Sequence, residues 1–276
     1  MLYLEHRPDH PLSQFVLALW YARGAQPDHR RERILPTGRS QLVINLARDF
    51  MLDCTEGAAD QRSAPALLVG QRSVYEVVST SDFADLIGVV FAPGALPMLM
   101  SDRADLVSNR SVALDELWGG DAERLRAILR EAISPQQRLK IFEKFLLAKL
   151  RQPLENGRFS VHPAVEFALR RFAQAPGVAT VSRMAKDTGW SERRFSQIFR
   201  EQVGFGPKAW CRIQRFQRVM KQMQSCLEIP WAELAVECGF YDQAHLANEF
   251  RAFSGIDATT YTARQHQVWH NHVRED

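Results

Sequence analysis

The chain has 276 residues, 46% hydrophobic and 24% charged, with a formal net charge of +3. That is ordinary globular composition and excludes collagen-like, low-complexity and wholly disordered classes. The strongest apolar run, residues 15–22, is far shorter than the roughly 20 residues a bilayer crossing needs. The start MLYLEHRPDHPL lacks the basic-then-apolar order of a secretory signal. Cys54, Cys211, Cys226 and Cys238 show no close pairing, so a reducing cytoplasm is expected and no disulfide framework.

The first half reads as short strands. Residues 13–22, 41–47, 66–70, 74–79 and 85–93 are rich in Val, Leu, Ile and aromatics, and Pro36-Thr37-Gly38, Gly70-Gln71 and Pro93-Gly94 supply turns between them. A sandwich or small barrel is expected. From about 113 the period becomes helical. Leu125, Ile128, Leu129 and Ile133 form one apolar face, and Leu139, Phe142, Phe145, Leu146 and Leu150 form another, with Ser134-Pro135 between them. The second face either pairs two chains or docks on the sheet. A linker is expected over 152–159, around Asn156-Gly157. The predicted division is 1–155, an effector-sensing or dimerisation domain, and 161–276, a helical domain.

Charge is unevenly spread. Residues 1–160 carry 20 basic and 20 acidic side chains. Residues 193–221 hold Arg193, Arg194, Arg200, Lys208, Arg212, Arg215, Arg218 and Lys221 against Glu201 alone. Residues 222–276 are net acidic. An isolated basic run is usually a solvated helix face, but a basic patch also attracts polyanions, because neutralised phosphates release counterions.

The local pattern decides between these. Residues 181–210 and 231–261 are two diverged copies of one unit. At an offset of 51, Phe195 falls on Leu246, Phe199 on Phe250, Gly204 on Gly255 and Trp210 on Tyr261. The earlier glycines, Gly189 and Gly239, differ by 50, so the second copy has one extra residue in its turn. Each copy spells a short helix, a Gly turn, a cap, a second helix and another Gly, the helix-turn-helix pattern. Ser191 and Asp242 are the expected caps. In the first copy Val181, Met184, Ala185, Phe195, Ile198 and Phe199 are expected inside. In the second, Ala232, Leu234, Ala235 and Val236 belong to the first helix, and Leu246, Phe250 and Phe253 form the inner face of the next.

The residues left outward suit a DNA groove: Arg193, Arg194, Ser196, Gln197 and Arg200 in the first copy, and Gln243, Ala244, Ala247, Asn248 and Arg251 in the second. Gln and Asn pair with adenine, Arg with guanine, and Ala meets the thymine methyl. Between the copies, residues 207–225 predict a long helix with Trp210, Ile213, Phe216, Met220 and Met223 buried. Lys208, Arg212 and Arg215 lie along one face, for phosphate contact or plain solvation.

These residues resemble the AraC/XylS family of bacterial transcription regulators over roughly 165–265. The segment CGFYDQAHLANEFRAFSG looks like the family signature around the second recognition helix, and GFGPKAW matches the ending of the first unit. Three positions depart from the family: Ala258 stands where Pro is usual, and Asn248 and Gln197 where Arg is common. The segments PLSQFVLALWY, ILPTGRSQLVINL, LLVGQRS and GVVFAPGALPMLM resemble the sensor-like domain that precedes such units, which implies a cupin-like β-domain with helices. The fold class expected is therefore α+β, with an all-α second domain of two helix-turn-helix units. The function implied is sequence-specific, effector-responsive transcription control through double-stranded DNA, by altered affinity for DNA or altered contact with RNA polymerase. The alternative is a constitutive DNA-binding protein whose first domain is an interaction module.

Trp20, Tyr21, Gln41 and Tyr75 are candidates to line an effector cavity, with packing the favoured role for each. His245 either reads bases or holds a local hydrogen bond. His266, His270 and His272 lack the companions of a metal site, so a solvated tail is expected, with no metal and no cofactor. There is no G-x-G-x-x-G, Walker loop, G-x-S-x-G or H-E-x-x-H, and catalysis is not expected.

Overall fold

The computed structural model describes residues 1–24, 27–54, 60–155, 161–174, 180–224, 229–265 and 271–275, with side chains of 152–155 left aside. Residues 152–155 of the expected linker instead continue a helix, while its remainder around Asn156-Gly157, and Cys226, His266 and His270, lie outside the described residues.

The N-terminal part contains β1 (Leu2–His6), β2 (Val16–Arg23), β3 (Arg31–Ile34), β4 (Gln41–Asn45), β5 (Met51–Asp53), β6 (Gln61–Ser63), β7 (Ala66–Val69), β8 (Glu76–Ser79), β9 (Asp85–Phe91) and β10 (Ser111–Ala113). Its helices are α1 (Leu96–Met100), α2 (Leu114–Trp118), α3 (Gly120–Glu131) and α4 (Pro135–Glu155). The C-terminal part holds α5 (Pro163–Gln174), α6 (Val181–Asp187), α7 (Glu192–Val203), α8 (Pro207–Met223), α9 (Trp231–Glu237), α10 (Gln243–Ser254) and α11 (Ala258–Arg264), then β11 (His272–Arg274). The class is α+β, as the sequence implied.

Two antiparallel sheets form, in the orders β1-β2-β9-β4-β7-β10 and β11-β3-β8-β5-β6. The six-stranded sheet is covered on both faces. On one, Leu19, Tyr21, Leu42, Ile44, Ile87 and Val89 pack against Leu125 and Leu129 of α3 and Leu139, Phe142, Leu146 and Leu150 of α4. The apolar face of α4 thus docks on the sheet. On the other face, Trp20, Val43 and Leu67 meet Met51, Val78, Phe83 and Leu86. Gly88 lies opposite Trp20 in register, and a Cβ there would sit 2.4 Å from the Trp20 ring. Only glycine lets that indole lie flat on the strand.

Four expected strands, 13–22, 41–47, 66–70 and 85–93, stand in the first sheet as β2, β4, β7 and β9, while its end strands β1 and β10 were not expected. The second holds a surprise: β11, from the end of the expected helical domain, pairs with β3, placing His272 opposite Ile34 and Arg274 opposite Glu32. An edge strand offers unpaired N–H and C=O groups, and β11 satisfies those of β3. Three polar contacts hold it. Glu32, fully buried, accepts from His29 Nε2 and His272 Nδ1, each at 2.7 Å. Arg33 clasps Glu275 through both Nε and Nη2. Arg274 approaches Asp28 at 3.3 Å.

Burial pushes the Glu32 carboxyl up, but the bonds and charges of His272 and His29 outweigh it and hold the group below its ordinary value. An ionised carboxyl so lowered stabilises the fold above the ordinary carboxylate range, and that contribution is lost as pH falls through it. We expect Glu32→Gln to flatten the acid limb of the melting temperature between about pH 5 and pH 3. Parallel acid limbs for parent and variant would show that the buried carboxylate does not set acid stability.

Candidate nucleic-acid interface

The first unit is built by local chemistry. Thr180 Oγ1 accepts from Arg183 N and starts α6. Gly189, at φ +73°, ends it, and Trp190 N donates back to Ala185 O at 2.9 Å. Ser191 Oγ accepts from Arg194 N at 3.3 Å and opens α7. Phe195, Phe199 and Val203 are buried with Met184, Ala185, Val165, Phe172 and Trp210. Val181 and Ile198 are half-buried at the margin.

The second unit repeats this grammar. Phe240 N donates to Ala235 O at 2.8 Å, the counterpart of the Trp190 bond, and Gly239 sits at φ +83°. Asp242 Oδ1 accepts from His245 N at 2.7 Å and opens α10. Leu246, Phe250 and Phe253 are buried against Phe216 and Leu234, and Phe216 and Phe250 meet edge to face at 5.2 Å between centroids. In α9, Ala232 and Val236 are exposed, Val236 by 65%. Helix α9 is only seven residues long, so Leu234 and Ala235 suffice to fill its contact. The extra turn residue is Tyr241, 88% exposed at the head of α10. Its N–H donates to His245 Nδ1 at 3.2 Å, and the His245 ring meets Phe240 edge-on at 5.4 Å. His245 is thus a local structural group.

Arg193, Arg194, Gln197 and Arg200 are exposed and Ser196 is half-buried; Gln243, Ala244, Ala247, Asn248 and Arg251 are all exposed. The two stripes face away from their own cores. They are not equally free. Arg200 Nε lies 3.3 Å from Asp105 of the N-terminal part. Arg103 pairs with Asp105 at 2.6 Å and reaches Glu201 at 3.8 Å, while Gln197 donates to Glu201 at 3.0 Å.

On α8, Trp210, Ile213, Phe216, Val219, Met220 and Met223 form the buried stripe. The expected cationic face divides. Lys208 is exposed. Arg212 forks onto Glu249 with two bonds of 2.7 Å, which holds the Glu249 carboxyl below its ordinary value. Arg215 is half-buried, with its guanidinium over the Phe240 ring at 5.5 Å. Ala258, the departure at the start of α11, follows Asp257, whose Oδ1 accepts from Thr260 N at 2.8 Å, so a side-chain cap starts this helix without proline.

The effector candidates do not converge. Tyr21 is fully buried on the helix-covered face, and its hydroxyl accepts from Arg138 at 2.6 Å. Trp20 and, by strand alternation, Gln41 belong to the opposite, inter-sheet face. Tyr75 packs against the second unit's core under the Arg33 guanidinium. Period-2 alternation separates Trp20 from Tyr21 wherever both lie in one strand. Burial raises the thiols of Cys54 and Cys238 to about 11 and Cys211 to about 12, away from a reactive thiolate. Among the described residues no cluster could hold a metal ion, and no helix is long and apolar enough to cross a membrane.

Two units of this geometry are a pair of helix-turn-helix motifs. A family model described as a helix-turn-helix domain matches residues 184–264, and a domain of unknown function, DUF6597, matches 4–113. The chain therefore carries a helix-turn-helix domain over 184–264 behind a separate N-terminal domain. Among solved structures it is similar to ToxT from Vibrio cholerae O395, at 11% identity over 88% of this chain and 95% of that one, with a TM-score of 0.46. It is also similar to unsaturated fatty acid bound wild-type ToxT from Vibrio cholerae strain SCE256, at 9% identity over 87% and 88%, with a TM-score of 0.39. No curated protein matches.

Removing a cap leaves helix-end N–H groups unsatisfied and costs about 1 kcal/mol. Ser191→Ala and Asp242→Ala should each lower the denaturant midpoint accordingly, while Gln243→Ala, fully outside, should leave it within about 0.5 kcal/mol of the parent. A Gln243 effect as large as the caps' would mean that its side chain supports the fold.

Proposed function

We propose that the chain is a sequence-specific transcription regulator that reads successive major grooves with α7 and α10. One observation carries this reading: two capped helices, equivalent in the repeat, turn polar stripes outward while their opposite faces are buried in aromatic cores. In this reading Arg193, Arg194, Ser196 and Gln197 serve the first groove, and Gln243, Ala244, Ala247, Asn248 and Arg251 the second. Tyr241 adds an exposed hydroxyl beside the second groove, suited to a phosphate oxygen. Arg200 and Arg212 join only after exchanging Asp105 and Glu249 for phosphate, and Lys208 lies open to it.

The two helices then do different work. The first unit supplies charge, because α7 carries free guanidinium groups. The second supplies discrimination, since α10 has Arg251 as its one cation beside neutral Gln and Asn. The N-terminal domain is proposed to carry effector control: a ligand with different affinity for two arrangements of that domain would change how the helices are presented. Support comes from the contacts between that domain and the C-terminal ends of both recognition helices. A metabolite that raises the melting temperature would favour sensing over the interaction-module reading.

The asymmetry is measurable. Arg193→Ala with Arg194→Ala should weaken binding to genomic duplex fragments and lower the slope of log affinity against log salt by about two. Arg251→Ala should lower it by about one or less. Equal changes in slope would refute the division of labour, and parent protein that retains no duplex would refute the reading itself.

A further inference from the structure

Two recognition helices can read one duplex only at the separation their mounting allows, because a shift of one base pair moves a half-site by about 3.4 Å and turns it by about 35°. The two units here have separate cores, one around Phe172, Phe195 and Phe199 and one around Phe216 and Phe250, both strung on α8. Helix α8, 17 residues and about 26 Å long, sets a first distance between the two units, and any second bridge between them fixes that distance further.

The N-terminal domain holds the same point of both repeats. Helices α7 and α10 end at Gly204 and Gly255, related by the 51-residue offset. The last carbonyls of a helix lack intrahelical partners, and the N-terminal domain supplies them. At the first end, Ser108 Oγ donates to Gly204 O at 2.8 Å. At the second, Arg33 Nη1 donates to Ser254 O at 3.1 Å and Tyr75 N to Phe253 O at 2.9 Å.

The approach is close at both. A Cβ on Gly204 would lie 3.0 Å from Ser108 Oγ, and one on Gly255 2.3 Å from Arg33 Nη1. Midway, Gln217 Nε2 of α8 donates to Pro36 O at 2.7 Å. Glu275, after β11, braces the Arg33 guanidinium. One packed domain thus touches both recognition helices and their connector.

We infer that the N-terminal domain is a spacing jig: Ser108, Arg33 and Tyr75 are positioning residues that fix the separation of α7 and α10, and so the half-site spacing the protein accepts. The inference rests on the DNA-reading proposal above and adds to it where spacing specificity resides.

The full-length chain is mixed with random-sequence duplexes of about 40 base pairs, enough for two successive grooves with flanks, and the retained DNA is sequenced. The parent enriches two motifs at one separation. The Ser108→Ala/Arg33→Ala double variant enriches the same motifs spread over several separations, and binds a duplex holding one motif within about twofold of the parent. A merely structural role would weaken both kinds of DNA together. A double variant that keeps the single separation overturns the jig and leaves DNA reading intact. A parent that enriches nothing overturns both. Thermal melting checks the fold, and should the double variant be unfolded, Ser108→Ala alone, which removes one hydroxyl, decides by the same criterion.

Discussion

The architecture depends on the burial of one face of each recognition helix. Phe195 and Phe199 in α7, and Leu246 and Phe250 in α10, are at most 2% exposed. Truncating one such ring costs about 3–5 kcal/mol, against a net stability of about 5–15 kcal/mol for a whole domain. Neither helix can roll about its axis without exposing two large side chains. The outward stripe is therefore fixed before any ligand arrives, and little ordering free energy is lost on contact.

Features set by neighbours in sequence were legible; features set by distant pairs were not. Both caps, both turn glycines and the inner aromatics follow from 3.6-residue periodicity and cap chemistry, and all stand where the sequence put them. The strands of the six-stranded sheet with apolar runs were equally plain. Strands β3 (RERI), β6 (QRS) and β11 (HVR) were invisible, because they are short and charged; β3 and β11 are held by ion pairs with residues far away in the chain. The family resemblance brought the order of domains but no hint that the tail returns to the second sheet.

Charge counting overstated the patch for the same reason. Of the eight cations between 193 and 221, Arg200 is matched by Asp105, Arg212 by Glu249, and Arg215 rests on an aromatic face. Glu249 belongs to the acidic second unit, so part of the imbalance between the two halves cancels across α8. Arg193 and Arg194, at the head of α7, remain open to solvent. They sit in the first turn of the helix, the part that enters a groove in a helix-turn-helix complex.

The tail completes the logic. Strand β11 ties the end of the second unit to β3, the strand that also carries Arg33 toward α10. Val273 is fully buried in the second unit's core beside Leu35 of the N-terminal part, so that core draws on both ends of the chain. Separating the domains would expose this shared apolar surface and leave the Glu32 carboxylate without His272. A buried charge stripped of its partner costs several kcal/mol, so small displacements that keep these contacts are far cheaper than separation. Under the proposed control of DNA reading by the first domain, small shifts in where Ser108 and Arg33 hold the two helix ends would be transmitted through contacts that stay made.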